Sequence, residues 1–425
     1  FVLALVVLAV GAGALVWALN VRDEIDVNTP MAAAAPSESL VERGAYLARA
    51  GNCQACHTAQ GGQAYAGGRG IATPFGTVFT SNLTPDDKTG IGSWSSAHFW
   101  RAMHNGRSKD GRLLYPAFPY TSYTQVTRED SDALYAYLRS LPPVAAPNQP
   151  HALRFPYQSQ AALAVWRALF FSPGVYEAEA SRGAEWNRGA YLVKGLGHCA
   201  ACHTARNALG GSDRGLDLAG GLIPMQNWYA PSLTSPYEAG VSEWDKQHIV
   251  SLLKMGVSPR ASVTGPMAEV VQRSTQYLSD ADLGAMATFL KELPPSQTKP
   301  PEPAAIKTQG ESVERAAKLY EQHCAQCHGA KGEGIANAYP ALAGNRAVTM
   351  GEASNLVQIV LNGGYAPATQ GNPRPFGMPP FVLVLGDTDM ALVLTHIRQS
   401  WGNRASEITP LEVNRIRAST ASAAR

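Results

Sequence analysis

All six cysteines of this 425-residue chain fall in three copies of one pattern: "CQACH" at Cys53 to His57, "CAACH" at Cys199 to His203 and "CAQCH" at Cys324 to His328. Two residues between the cysteines put both sulfurs on one turn of helix, and the next residue aims an imidazole from that turn. A disulfide framework would not confine every cysteine to such a unit. A zinc site would need a second ligand pair at matching spacing, which the chain does not offer three times. C-x-x-C-H is the attachment signature of c-type haem, in which the two thiols form thioethers and the histidine becomes the proximal iron ligand. The spacing therefore predicts three covalently bound haem c groups. Cys53 and Cys56, Cys199 and Cys202, and Cys324 and Cys327 would attach them, with His57, His203 and His328 on the irons. Haem c is attached on the outer face of a bacterial inner membrane, in a compartment that tolerates cysteine chemistry.

The motifs sit inside longer repeats. "RGAYLARAGNCQACHTA" from Arg43 matches "RGAYLVKGLGHCAACHTA" from Arg188, and "AAKLYEQHCAQCHG" from Ala316 is a more distant copy. Each continues through a glycine-rich loop, a helix, a proline-containing loop and a closing helix. The first two closing helices, "EDSDALYAYLRSLPPV" and "SDADLGAMATFLKELPPS", stop at Pro-Pro, which cannot continue a helix. Ahead of the repeats, Phe1 to Val21 carries no charge and is long enough to cross a hydrocarbon core, longer than the usual apolar region of a signal peptide. The expected organisation is a transmembrane anchor (1–22), a tether (23–40), haem units at 41–150, 181–295 and 313–402, a linker with an apolar helix (151–180), a Pro-rich linker (296–312) and a C-terminal tail (403–425). The linker helix, Ala161 to Phe171 with Arg167 as its only charge, reads either as ordinary packing or as a docking surface for a partner subunit or the membrane. Charged residues are only 16% of the chain and the net charge is +2, so no basic face for nucleic acid is expected.

These units, together with "YAGGRGI" (Tyr65 to Ile71), "DLAGGLI" (Asp217 to Ile223), "TPFGTVFTSNLTPD" and "LYPAFPYTSY", resemble the trihaem cytochrome c subunits of membrane-bound dehydrogenases of acetic acid bacteria. The resemblance covers about residues 40–400. It implies an all-α fold of three tandem class-I cytochrome c domains behind the N-terminal helix, and an electron-transfer subunit with no bond-making chemistry of its own. It also implies electrons received from a catalytic dehydrogenase subunit and passed to ubiquinone or a terminal oxidase on the periplasmic side. The helix and the Phe-type loop look most like the branch served by a molybdenum and iron–sulfur aldehyde dehydrogenase, with an iron–sulfur subunit as a further partner. A quinoprotein alcohol dehydrogenase or a flavin sugar dehydrogenase is the next reading. A free-standing tethered carrier or a multihaem peroxidase are rivals from other classes, since fold alone does not specify a partner.

An electron carrier of this class wants methionine opposite histidine, because the thioether favours reduced iron. The second unit offers Met267 in "SVTGPMAEVV" and the third Met378 in "PRPFGMPPF", but the first has Phe118 in "YPAF". The helices before these loops, "HFWRAMHNG", "HIVSLLKMG" and "NLVQIVLNG", share one apolar stripe: Phe99, Ala102, Met103; Ile249, Leu252, Leu253; Leu356, Ile359, Val360. Met103 therefore takes the inward column and is the preferred ligand of the first haem. His104, His98 and an open sixth position are the alternatives. Trp94, Trp244, Arg69 and Arg346 are candidates to meet haem propionates, with edge packing as the plainer role of the tryptophans.

Overall fold

The computed structural model describes residues 1–27, 37–296, 310–336 and 338–423. The chain divides into two compact units, Phe1–Ala201 with Arg206–Arg214, and Cys202–Ala205 with Gly215–Arg425. α-Helices longer than four residues are numbered below in chain order.

In the first unit, α1 (Val2–Val21) is apolar along its length, with mean hydropathy 2.6, and only Asn20 is buried. The helix α2 (Glu38–Ala50) opens at Ser37, whose hydroxyl accepts from the Leu40 N–H at 3.2 Å. A hairpin of β1 (Gly70–Thr73) and β2 (Gly76–Phe79) follows. The next helix, α3 (Ser96–Asn105), starts in a Ser95/His98 capping box and ends at Gly106 with φ 59°, the left-handed turn a glycine permits. The closing helix α4 (Arg128–Ser140) is capped by Thr127 and stops at Leu141, held extended by the proline after it. Strand β3 (Ala152–Leu153) pairs with β2, and α5 (Gln160–Phe170) and α6 (Ala184–Tyr191) complete the unit. Helices α2 and α4 cross at Gly44, where a methyl group would run into the Ala133 carbonyl. Leu47, Phe99, Met103, Val126, Leu134 and Leu138 form the core.

Asp130, 2% exposed, accepts from Arg43 Nε at 2.8 Å and from the Tyr191 hydroxyl at 2.6 Å. Helix α6, which opens the second repeat, is thus fastened to the closing helix of the first. The second repeat has one residue more than the first between its Arg and its Cys. The structure absorbs it as a π-helical turn, Leu192–Leu196.

The second unit holds the rest of the second repeat and all of the third. Strands β4 (Gly221–Leu222) and β5 (Tyr229–Ala230) pair, and α7 (Lys246–Met255) runs from an Asp245 cap to Gly256 at φ 78°. Then come α8 (Gly265–Arg273), the closing helix α9 (Asp280–Lys291), α10 (Glu311–His323) and α11 (Ser354–Asn362). Strands β6 (Gly364–Tyr365) and β7 (Gly377–Met378) pair before α12 (Asp387–Gln399) and α13 (Pro410–Ala423).

Three features differ from expectation. The fold is helical but not purely so, because short antiparallel pairs form in the loops after the first two C-x-x-C-H motifs and, in the third repeat, in the loop after α11. The expected tail is structured: Val413 is fully buried, the Ile408 N–H donates to Thr395 Oγ1 at 2.9 Å, and Arg417 pairs with Asp387 at 2.7 Å. The expected tether is pinned at its start, where Glu24 pairs with Arg107 at 3.3 Å, and α2 begins before its end. Residues 28–36 of it, and 297–309 of the Pro-rich linker, lie outside the described residues.

Candidate functional site

The histidine of each C-x-x-C-H motif is set the same way. His57 Nδ1 donates to the Ser81 carbonyl at 2.7 Å, His203 Nδ1 to Pro231 at 2.7 Å and His328 Nδ1 to Pro340 at 2.9 Å. A carbonyl can only accept, so the proton is on Nδ1 and the Nε2 lone pair is left for a metal. Such a hydrogen bond also fixes the plane of a ligating ring. Burial lowers the His57 and His203 pKa, opposed by the Ser81 and Pro231 carbonyls, which keeps both imidazoles in the neutral, ligating form.

The loop that brings up the carbonyl is built identically in the three repeats. The N–H groups of Gly67, Gly220 and Gly334 donate to the carbonyls of His57, His203 and His328 at 2.9, 2.8 and 2.8 Å. Those glycines have φ of 75°, 86° and 67°, and the residues two before them, Tyr65, Leu218 and Gly332, also have positive φ. The Leu83, Leu233 and Leu342 N–H groups then donate back to Tyr65, Leu218 and Gly332. Sequence reading missed this device. Its signal was the aligned "SNL", "PSL" and "PAL", whose first residues supply the carbonyls.

The cysteines lie on the turn before each histidine and are not disulfide-bonded. Burial, with Cys56 adding to it, pushes the Cys53 thiol up to about 12, and burial beside Cys327 pushes Cys324 up to about 11. A dithiol redox motif needs the opposite, a lowered thiol pKa at its first cysteine. Among the described residues, no three His, Cys, Asp or Glu side chains gather as a bare-ion site. The motifs instead present two thiols and one oriented imidazole beside apolar core, which fits a haem c. A buried orphan polar atom agrees: Trp244 is 6% exposed and its Nε1 has no partner, as a propionate donor would require. Arg346 stands over the Trp244 ring at 6.0 Å and donates to Gly240 O at 2.8 Å, so this third-repeat residue reaches the second repeat. Arg69 donates to Ala55 O at 2.5 Å, and Arg206 does the same to Ala201 O at 2.7 Å, the equivalent residue of the second motif.

The distal side differs between repeats. After Gly106 and Gly256 the chain returns through matching bonds, Leu114 N–H to Gly106 O and Val263 N–H to Gly256 O, and Phe118 and Met267 each follow four residues later. Phe118 therefore occupies the position of Met267. Met103, 5% exposed, shares one apolar cluster with Phe118, Tyr65 and Cys53. His104 Nδ1 donates to Thr124 O at 2.9 Å and its ring stacks on Trp100 at 4.7 Å. His98 is spent on the helix cap, with Nδ1 2.7 Å from Ser95 Oγ. In the third repeat Met378 lies on β7, opposite Gly364, and packs in the cluster that contains Cys324 and Val360. Met267 lies in the first turn of α8 and is half-buried.

Comparison with known proteins gives a consistent result. The cytochrome c family profile matches residues 41–142 and 313–401. The chain is 40% identical over 395 residues to the cytochrome c subunit of a quinone-dependent alcohol dehydrogenase from Gluconacetobacter polyoxogenes, covering 89% of this chain and 84% of that one. It is 37% identical to the gluconate 2-dehydrogenase cytochrome c subunit of Pantoea cypripedii, covering 90% of each. It is 34% identical to the fructose dehydrogenase cytochrome subunit of Gluconobacter japonicus, covering 94% of this chain and 86% of that one. The chain belongs to the family of cytochrome c subunits of dehydrogenases: it is a haem c electron-transfer subunit, not a catalytic one.

Proposed function

We propose that the chain carries three haem c groups and relays electrons from a catalytic dehydrogenase subunit to ubiquinone or a terminal oxidase. The observation that carries this reading is the threefold repetition of one proximal arrangement, His57, His203 and His328 each donating from Nδ1 to a loop carbonyl. The haems supply the redox couple, while the protein supplies attachment, ligands and burial. Cys53, Cys56, Cys199, Cys202, Cys324 and Cys327 attach them, and Met103, Met267 and Met378 are the distal ligands. Burial of Met103 in the apolar cluster that contains Cys53 and Phe118 supports Met103 for the first haem.

The apolar α1 holds the chain in the bacterial inner membrane with the haem units in the periplasm, beside the quinone pool. The partner is a molybdenum and iron–sulfur aldehyde dehydrogenase, a reading supported by the N-terminal helix and the Phe118 loop. Isolating the intact complex in mild detergent, counting haem per chain and identifying the co-purifying catalytic subunit with its cofactor tests both parts. Three haems per chain are expected; two would refute the trihaem reading. A pyrroloquinoline or flavin partner would refute the aldehyde branch and leave the electron-relay reading intact.

A further inference from the structure

We infer that the outward face of α5 lies in the lipid headgroup layer, so that the first haem unit is seated on the membrane rather than hung from it by a loose anchor. The inference rests on the reading of α1 as a membrane span.

The argument begins with depth. The uncharged run of α1 ends at its C-terminal turn, with Asn20 followed by Arg22, Asp23 and Glu24. This end therefore sits at the hydrocarbon edge, where charged residues leave the core. That turn is bonded to α5: Asn20 Nδ2 donates to Ala164 O at 2.9 Å, and Arg167 Nε donates to Asn20 Oδ1 at 2.9 Å. Helix α5 is thus fixed at the same depth. The junction is rigid, because Arg167, 3% exposed, also donates to Asn105 O at 2.7 Å and stacks on Tyr120 and Phe171. Arg107 donates to Asn20 O at 3.1 Å, and Asn105 Nδ2 donates to Asp23 O at 3.1 Å.

Next comes the face itself. The strongly polar side chains of α5 are Gln160, exposed at the helix's first position but bonded to both backbone groups of Leu113, and Arg167, which is buried. Leu163 and Arg167 face the haem unit, and at 3.6 residues per turn Val165 points about 180° away from them. That outer stripe is Ala161, Val165 and Leu169, the last two 48% and 59% exposed, and Phe155 just before it is 84% exposed. A surface helix in water carries charge opposite its buried stripe; an apolar face on both sides needs a second apolar cover. The bilayer, reached by α1 at this depth, is that cover. Trp17 on α1, 68% exposed, adds the kind of interfacial aromatic found at this level.

The test uses the full-length holoprotein in nanodiscs of phosphatidylethanolamine and phosphatidylglycerol. Because the haem motifs consume every native cysteine, Val165→Cys, Leu169→Cys and the control Glu129→Cys each offer one thiol for a nitroxide. Collision with oxygen and with a water-soluble nickel chelate is then measured, and the haem spectrum verifies folding. Labels at 165 and 169 are expected to meet oxygen freely and the nickel chelate several-fold less than the label at 129. Equal nickel access at all three overturns the inference while α1 still holds the chain in the disc. Shielding that appears only after the catalytic subunit is added also overturns it, in favour of a protein partner on this face. If the wild-type chain is not retained in discs at all, the anchor reading itself fails.

Discussion

Replacing Met103 by leucine separates ligation from packing. The side chain is 5% exposed in a core with Phe99, Phe118 and Tyr123, and the second repeat carries Leu253, 8% exposed, in the same column. A volume-conserving swap of this kind costs less than about 1.5 kcal/mol. Against the ~5–15 kcal/mol that holds a domain folded, the variant stays native. Haem attachment, which depends on Cys53, Cys56 and His57, should therefore be unchanged. What changes is the iron: one haem loses its thioether, about one third of the methionine-to-iron charge-transfer absorbance disappears, and the potential of that haem falls because the thioether favoured the reduced state. The assay is visible and near-infrared spectroscopy of the ferric protein, with a redox titration. His104→Ala, which removes the donor to Thr124 O, should leave that absorbance intact. Full absorbance in Met103→Leu together with a high-spin haem in His104→Ala would refute the reasoning and assign the ligand to His104.

Other outcomes follow from the same geometry. Gly67→Ala should cost more than about 1–2 kcal/mol, since φ is 75° and the new methyl would sit 2.5 Å from the Ser81 carbonyl carbon; thermal melts and haem content should show the first haem loosened. Ser81→Pro should be silent by the same measurements, because Pro231 and Pro340 already stand at the equivalent positions. Cys53→Ala with Cys56→Ala should lower the haem content from three to two per chain in a pyridine haemochrome assay, and a loss of all haem would point to coupled folding instead. Arg398→Met should destabilise the third repeat by about 3 kcal/mol in a thermal melt. That side chain is fully buried and donates to the carbonyls of Val348, Met350 and Ser406 at 2.7, 2.9 and 2.8 Å, which the variant leaves unmet.

Covalent chemistry made the centre of this protein readable without a structure. Two thiols and an imidazole within five residues are set by local geometry alone, so the candidate attachment residues could be named without tertiary information. The apolar stripe of α3, α7 and α11 was equally legible, because helical periodicity is local, and it placed Met103 inward. Comparing repeats identified Phe118 as the residue in the methionine position, which the matching return bonds of the two loops bear out. What stayed hidden depends on contacts distant in the chain. The carbonyls that orient the histidines come from 24, 28 and 12 residues away, through a turn defined by positive φ at residues as different as Tyr65 and Leu218. No side-chain preference announces such a turn. The C-terminal segment looked like a tail because its apolar residues are few, yet Ile408 and Val413 find the groove beside α12. The lone arginine of α5 gave no hint of its role in the sequence. Only folding brings Arg167 against Asn20, Asn105 and the Tyr120 ring, and thereby joins the apolar N-terminal helix to the helix that bears Met103.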